Sequence, residues 1–279
     1  MLSRINRKFK RDGMFSLIIA SLRIILTKCV SIPSSFILKS NGLKIIKDTA
    51  NIQARLGGVH ANIGCGSYLI RGFINVDYFS ERYYGDGKFN RIHYDMRSDI
   101  LPFDDNSLDT IFCSHVIEHI ETEHVIKFIE ESYRVLKAGG VLRITCPDPE
   151  YLYFQLQNHP EYFSWHPLYK SKSDALLCFV DEVATPKIKL DNFGLDGKVD
   201  KYSYEELLIE LRQGLFFNQE TPQEHINNWD FKRLNEIAKS IGYTVAEKSR
   251  YQGSFCAALR GNDMDLCNPA MSLYVDIMK

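Results

Sequence analysis

Val59-His60-Ala61-Asn62-Ile63-Gly64-Cys65-Gly66-Ser67-Tyr68-Leu69-Ile70-Arg71-Gly72-Phe73-Ile74-Asn75-Val76-Asp77 is the stretch whose reading decides the fold. It opens apolar, breaks at the glycine pair Gly64 and Gly66, and returns to an apolar run that ends in an acid. The opening reads as a buried strand leading into a turn where Cβ atoms would block both the chain and a close ligand. Phe73 to Val76 reads as a second strand, with Asp77 at its carboxyl end. In an open α/β sheet, ligands bind just outside those ends, so the glycines and Asp77 face one crevice.

The dinucleotide fingerprint needs three glycines and an acid about twenty residues further on. Here Leu69 stands at the third glycine position, and Asp77 follows Gly66 by eleven residues. Ser67 to Gly72 is room for about one and a half helical turns, too little for a pyrophosphate cradle on a full helix. A nucleoside without phosphates asks for less: space against the glycines and an acid for its ribose hydroxyls. S-adenosylmethionine meets that description.

From Gly57 onward the chain alternates in the βα manner. Strands are expected at Val59–Ile63, Phe73–Val76, Arg91–Tyr94, Thr110–Ser114 and Val141–Cys146. A helix from about Glu121 to Leu136 stops at the glycines of Lys137-Ala138-Gly139-Gly140. A second helix over Asn228 to Gly242 precedes strands at Tyr243–Tyr251 and Leu273–Met278. The expectation is an α/β, Rossmann-like, seven-stranded and mostly parallel sheet with an antiparallel last strand. An N-terminal helical arm and an inserted cap would be added to it. The boundaries fall at 1–48 (arm), 49–150 (cofactor-binding core), 151–222 (cap) and 223–279 (completion of the sheet). The 279 residues suffice for one large domain with a cap. Seven scattered cysteines without paired spacing argue for reduced thiols and a cytoplasmic protein.

ANIGCGS, INVD, HYDMRSDILPFDDNSLDTIFCSHVIEH and SYRVLKAGGVLRITCPD follow one another in that order. Together these blocks resemble a class I S-adenosylmethionine-dependent methyltransferase. The chain is most similar to the bacterial subgroup found among polysaccharide-biosynthesis enzymes, where a very short connection joins the first two strands. The resemblance covers about Gly57 to Glu150 and resumes weakly at His225 to Phe231 and at the terminal strand. The family has a longer first helix, so no contact is carried over to Tyr68 to Arg71. The resemblance implies that Asn62, Gly64, Cys65, Gly66 and Ser67 line the methionine part. It implies that Asp77 takes both ribose hydroxyls, which a carboxylate's two oxygens suit. Asp95 and the Met96 backbone would read the adenine edge, and Leu101-Pro102-Phe103 would wall it. Ser114 and His115 would end the fourth strand beneath the activated methyl.

Displacement at a sulfonium methyl expels a neutral leaving group, so positioning carries much of the rate and no metal is required. A hydroxyl acceptor adds the need for a general base, and histidine titrates in the right range. The candidates are His115, His225, Glu118 and His119, with His115 or His225 favoured; His159 and His166 in the cap are further options. The spacing His115-x-x-Glu118-His119 also puts three metal-capable side chains on one helical face. It is similar to the metal-using small-RNA 2′-O-methyltransferases, which have a glutamate where His115 stands. The charge distribution speaks against RNA, and the expectation is no metal.

Ten basic residues precede Asp48 against the single acid Asp12, so residues 1–47 carry +9 and, with −1 overall, the remainder −10. An acidic body argues against a nucleic-acid partner. Met14 to Val30 is apolar but interrupted by Arg23 and Lys28, which suits neither a bilayer span nor a secretory signal. It reads as a helix lying on the inner face of the membrane, docked on the domain, or used in dimerisation. Tyr151, Tyr153, Phe154, Tyr162, Phe163, Trp165 and Tyr169 either stack on a sugar or form the cap's own core. Lys187–Lys201 reads as an exposed loop over the site. The acceptor is then a small molecule or glycan: a sugar, sugar nucleotide or lipid-linked glycan. Two other classes stay open: a nicotinamide-dependent oxidoreductase using Tyr133 and Lys137, and a non-catalytic scaffold with the same fold.

Overall fold

The computed structural model describes residues 58–79, 91–189, 202–261 and 264–279. The expectations for the arm and for most of the Lys187–Lys201 loop lie outside the described residues. Seven strands form one sheet: β1 (His60–Ile63), β2 (Ile74–Asp77), β3 (Ile92–His93), β4 (Leu108–Ser114), β5 (Leu136–Pro147), β6 (Val245–Lys248) and β7 (Ser272–Met278). Their order is β3-β2-β1-β4-β5-β7-β6. The first five are mutually parallel, and β7 runs antiparallel to both β5 and β6. β1 is flanked by β2 on one side and β4 on the other, so strand order reverses there. That is the switch point at which such sheets open a crevice beyond their strand ends.

Continuous burial explains why the central strands are strands. Every residue of β1 is buried, and β4 buries five of its seven. α1 (Thr122–Val135) buries Val125, Phe128, Ile129, Ser132 and Val135, one face at helical spacing. It shares the main core with α5 (Phe231–Ile241) through Trp229, Leu234, Ala238 and Tyr243.

α1 does not stop at the glycines. It ends at Val135, and the chain turns straight into β5. Gly139 and Gly140 instead serve an irregularity in the pairing with β4 between Leu108 and Thr110. There Gly139 takes φ +76°, and a Cβ on Gly140 would stand 2.8 Å from the Lys137 carbonyl oxygen. α5 also starts later than its pattern suggests. Asp230 is its N-cap, accepting from the Arg233 N–H at 2.8 Å, because Asn228 and Trp229 are occupied elsewhere.

Between β5 and α5 lie α2 (Pro149–Asn158), α3 (Ala175–Ala184) and α4 (Tyr204–Arg212), with a second hydrophobic cluster of their own. Phe163 is buried in that cluster, and Tyr153, Tyr162, Trp165 and Tyr169 pack against it. Tyr151 and Phe154 remain exposed. Six cysteines among the described residues are unpaired thiols. No helix among the described residues is long and apolar enough to cross a membrane.

Arg143 on β5 is fully buried and holds two carboxylates, Asp265 at 2.7 Å and Asp276 at 2.8 Å. It also donates to the Arg250 carbonyl at 3.0 Å, tying residues 250–265 to the sheet. Removing the cation strands two buried acids. Arg143→Met is therefore expected to lower the unfolding free energy by about 3–5 kcal/mol, read from the denaturant midpoint.

Candidate active site

The β1–β2 connection is pinned from below by two asparagines that face each other across the strands. Asn62 Nδ2 donates to Asn75 Oδ1 and to the Tyr68 carbonyl, each at 2.9 Å. Asn75 Oδ1 accepts from Ile70 N–H at 3.0 Å, and its Nδ2 donates to the Ile70 and Phe73 carbonyls at 3.2 Å. The bend above them brings the Gly64 backbone against Val116, where the γ-methyls already occupy the space of a Cβ. Gly64 also takes φ +67°, a conformation L residues avoid. Gly66, at φ +51°, has nothing within 4 Å of its Cβ position.

That open side faces a cavity of about 260 Å³ at the ends of β1, β2 and β4. Gly64, Gly66, Asp77, Tyr78, Asp95, Met96, Arg97, His115, Val116, His119 and Phe217 are among its walls. Asp77 Oδ2 accepts from Gly66 N–H and Oδ1 accepts from Tyr78 N–H at 2.7 Å. Each oxygen keeps a second lone pair, so the carboxylate retains acceptor capacity for two hydroxyls. The open face of Gly66 beside those spare lone pairs fits a ribose.

Asp95 reaches the wall, but its carboxylate is engaged by Arg97 at 2.9 Å and 2.8 Å. Burial pushes that carboxyl up; the Arg97 guanidinium overrides it and holds it below the ordinary carboxylate value. The guanidinium also lies over the Phe217 ring at 3.8 Å and near the Tyr78 ring at 5.1 Å. Phe217 is fixed in turn by its N–H, which donates to Glu121 at 2.8 Å. Arg97, Tyr78 and Phe217 carried no sequence signal, because each acquires its role through a contact distant along the chain.

Several expected contacts are corrected. Asn62 is spent inside the turn, and Cys65 is buried beneath it, its thiol pushed up to about 12 by burial and by Asp77. Ser67 is exposed and Ser114 bonds Thr145 at 2.7 Å; neither lines the cavity. Leu101-Pro102-Phe103 line a separate surface hollow near Arg134. Tyr133 packs on Tyr243 and Lys137 pairs with Asp109 at 2.7 Å, so neither part of the oxidoreductase alternative reaches the cavity. His166 pairs with Asp181 and Glu182 inside the insert, and the His159 ring lies tilted beside Phe154.

His115 ends β4 with φ +53°, its N–H donating to the Thr145 carbonyl at 2.8 Å. Its Nδ1 is 2.9 Å from Glu118 Oε1, and its Nε2 is 2.9 Å from Ser272 Oγ. Ser272 gives its own hydrogen to the Asn268 carbonyl, so it accepts from His115. Both ring nitrogens therefore carry protons. Burial alone would lower this pKa, but Glu118 overrides it and raises it to about 10, while Glu118 is driven down. His115 is thus a cation already and does not serve as the base.

His119 and His225 differ. His119 Nδ1 lies 3.0 Å from the Glu224 carbonyl and His225 Nδ1 lies 2.7 Å from that of Glu182. A carbonyl only accepts, so each Nδ1 holds a hydrogen, and in His119 Nε2 is left with a lone pair. Burial lowers the His119 pKa to about 4. The two rings meet edge-on at 4.9 Å.

Residues 73–144 match the family model described as a methyltransferase domain. The matched segment runs from β2 into β5 and leaves the glycine pair outside it. No curated protein sequence matches the chain. Among solved structures it is similar to an S-adenosylmethionine-dependent methyltransferase from Archaeoglobus fulgidus, at 15% identity and a TM-score of 0.41, over 83% of this chain and 94% of that one. Another such protein, from Methanosarcina mazei, shares 15% identity at a TM-score of 0.39, over 80% and 92% of the two chains. The domain match supports S-adenosylmethionine as the cofactor and methyl transfer as the chemistry.

The two glycines are expected to fail differently. Gly64→Ala combines a disfavoured φ with overlap on Val116, costing about 2–4 kcal/mol of stability by chemical denaturation. Gly66→Ala meets only the strain, about 1 kcal/mol, and shows instead as weaker cofactor binding by calorimetry.

Proposed function

We propose that the chain transfers a methyl group from S-adenosylmethionine to a hydroxyl of a small-molecule or glycan acceptor. In its specific form the acceptor is a sugar, sugar nucleotide or lipid-linked glycan of cell-surface polysaccharide biosynthesis. The observation that carries the reading is one cavity holding both a carboxylate with spare acceptor capacity, Asp77, and an unprotonated imidazole, His119.

The cofactor supplies an electrophilic methyl on a positively charged sulfur. Asp77 takes the ribose hydroxyls, Gly66 admits the backbone beside them, and Met96 and Val116 give apolar wall. Arg97 and His115 are cations that would repel a sulfonium, but each is neutralised locally, by Asp95 and by Glu118. Phe217, Pro222 and Gln223 line the side from which the acceptor would enter, which supports reading residues 151–222 as the acceptor cap. Aligning its hydroxyl with the methyl is the main contribution of the protein. The hydroxyl proton passes toward the Glu118, His119 and His225 cluster, where His119 keeps its Nε2 unprotonated.

Calorimetric titration of the full chain with S-adenosylmethionine and with NAD tests this. Binding of the former alone is expected, and Asp77→Asn weakens it about 10–100-fold with little change in melting temperature. Binding of NAD alone, or an Asp77→Asn affinity equal to wild type, would overturn the reading. For the acceptor, mass spectrometry of surface glycans with and without the gene product should show one methyl lost; unchanged glycans remove the polysaccharide assignment.

A further inference from the structure

Glu118 and His119 sit in the short turn after β4, and His225 comes from the loop before α5, yet one ligating atom from each lies within 4.8 Å of the others. The segments that carry them are locked together. Ile226 and Asn227 N–H groups donate to the Glu118 carbonyl at 2.9 Å and 3.0 Å. Asn227 Nδ2 donates to the Ile120 carbonyl at 3.0 Å, and Trp229 Nε1 to that of Ile117 at 2.9 Å.

The protonation pattern is what makes the cluster unusual. Both imidazoles give their Nδ1 hydrogen to a main-chain carbonyl, so Nε2 is the nitrogen of each that is available as a ligand, and burial keeps that of His119 unprotonated. The Glu118 side chain is 1% exposed; Oε1 faces His115, and Oε2 has no hydrogen-bond partner among the described residues. A buried carboxylate oxygen without a donor is costly, and His119, unprotonated at Nε2, offers it none. The ligating atoms of three side chains converge there, and the neighbouring cation, His115, lies beside Glu118 Oε1 and leaves Oε2 without a partner among the described residues.

We propose that Glu118, His119 and His225 form a binding site for one divalent transition-metal ion. Two imidazoles and one carboxylate suit zinc, manganese, cobalt or ferrous iron, and disfavour magnesium and calcium, which prefer oxygen. An imidazole whose other nitrogen donates to a backbone carbonyl is the usual support for such a ligand. Ligands about 2.1 Å from a cation stand roughly 3.0–3.5 Å apart, so a modest closure of side chains seats it. His115 is not a ligand, since both its nitrogens hold protons. His119 lies on the cavity wall, so an open coordination position faces the place assigned to the acceptor. With the ion bound, His119 and His225 are ligands and take no proton, and an acceptor hydroxyl in the open position would lose its proton to solvent water instead. This last role rests on the methyl-transfer reading; the metal site itself does not.

The full chain, stripped with chelator, is titrated with zinc, manganese and magnesium by calorimetry, and with cobalt by visible absorption. One zinc or manganese per chain is expected at micromolar affinity or tighter, with ligand-field bands for cobalt and no comparable magnesium binding. His225→Ala should lose at least about 100-fold in metal affinity. Its melting temperature and S-adenosylmethionine affinity serve as folding controls. If His225→Ala folds poorly, the tighter-packed but shape-conserving His225→Gln replaces it. No metal uptake by the wild type, or uptake unchanged in a folded His225 variant, overturns the site. Metal uptake without S-adenosylmethionine binding would keep the site and remove the methyltransferase reading; the reverse would keep that reading and remove the site.

Discussion

Gly64 and Val116 stand too close for any side chain to come between them, and the site depends on that approach. It sets the bend after β1 against the segment after β4, at the place where strand order reverses. With the bend fixed there, Gly66 opens onto the cavity and Asp77 lies across it, bonded to the Gly66 N–H. The Asn62–Asn75 pair stiffens the same bend from below, substituting for the helix that six residues are too few to build.

Charge in the cavity is arranged so that almost nothing is unpaired. Asp95 and Arg97 close on each other, and so do His115 and Glu118. His115 occupies a left-handed backbone conformation that costs of order 1–2 kcal/mol in a residue with a Cβ. Its ion pair, its bond to Ser272 and its ladder bond to Thr145 offset that cost. The exceptions are the spare lone pairs of Asp77 and the bare nitrogen of His119. Those are the cavity groups left with acceptor capacity.

The insert shows how the same composition yields two roles. Most of its aromatic residues are consumed in its own core, since a separate helical cluster this small needs large side chains to bury enough surface. The wall of the cavity is made instead by Phe217, Pro222 and Gln223, from the polar-looking connection after α4.

The parallel sheet, the glycine bend and the acid at the end of β2 were legible in the chain because each is local: strand periodicity, a φ only glycine takes, and a position fixed by strand length. The antiparallel course of the last strand was legible too, but its place between β5 and β6 was not. Sequence spacing grouped His115 with Glu118 and His119, whereas tertiary structure gave His115 two protons and brought His225 from more than a hundred residues away in its stead. It likewise turned Asn62, Cys65 and Ser114 inward, and recruited Arg97, Tyr78 and Phe217. A backbone conformation follows from the residue that adopts it; a side chain's protonation and its partners follow from whatever the folded chain packs beside it.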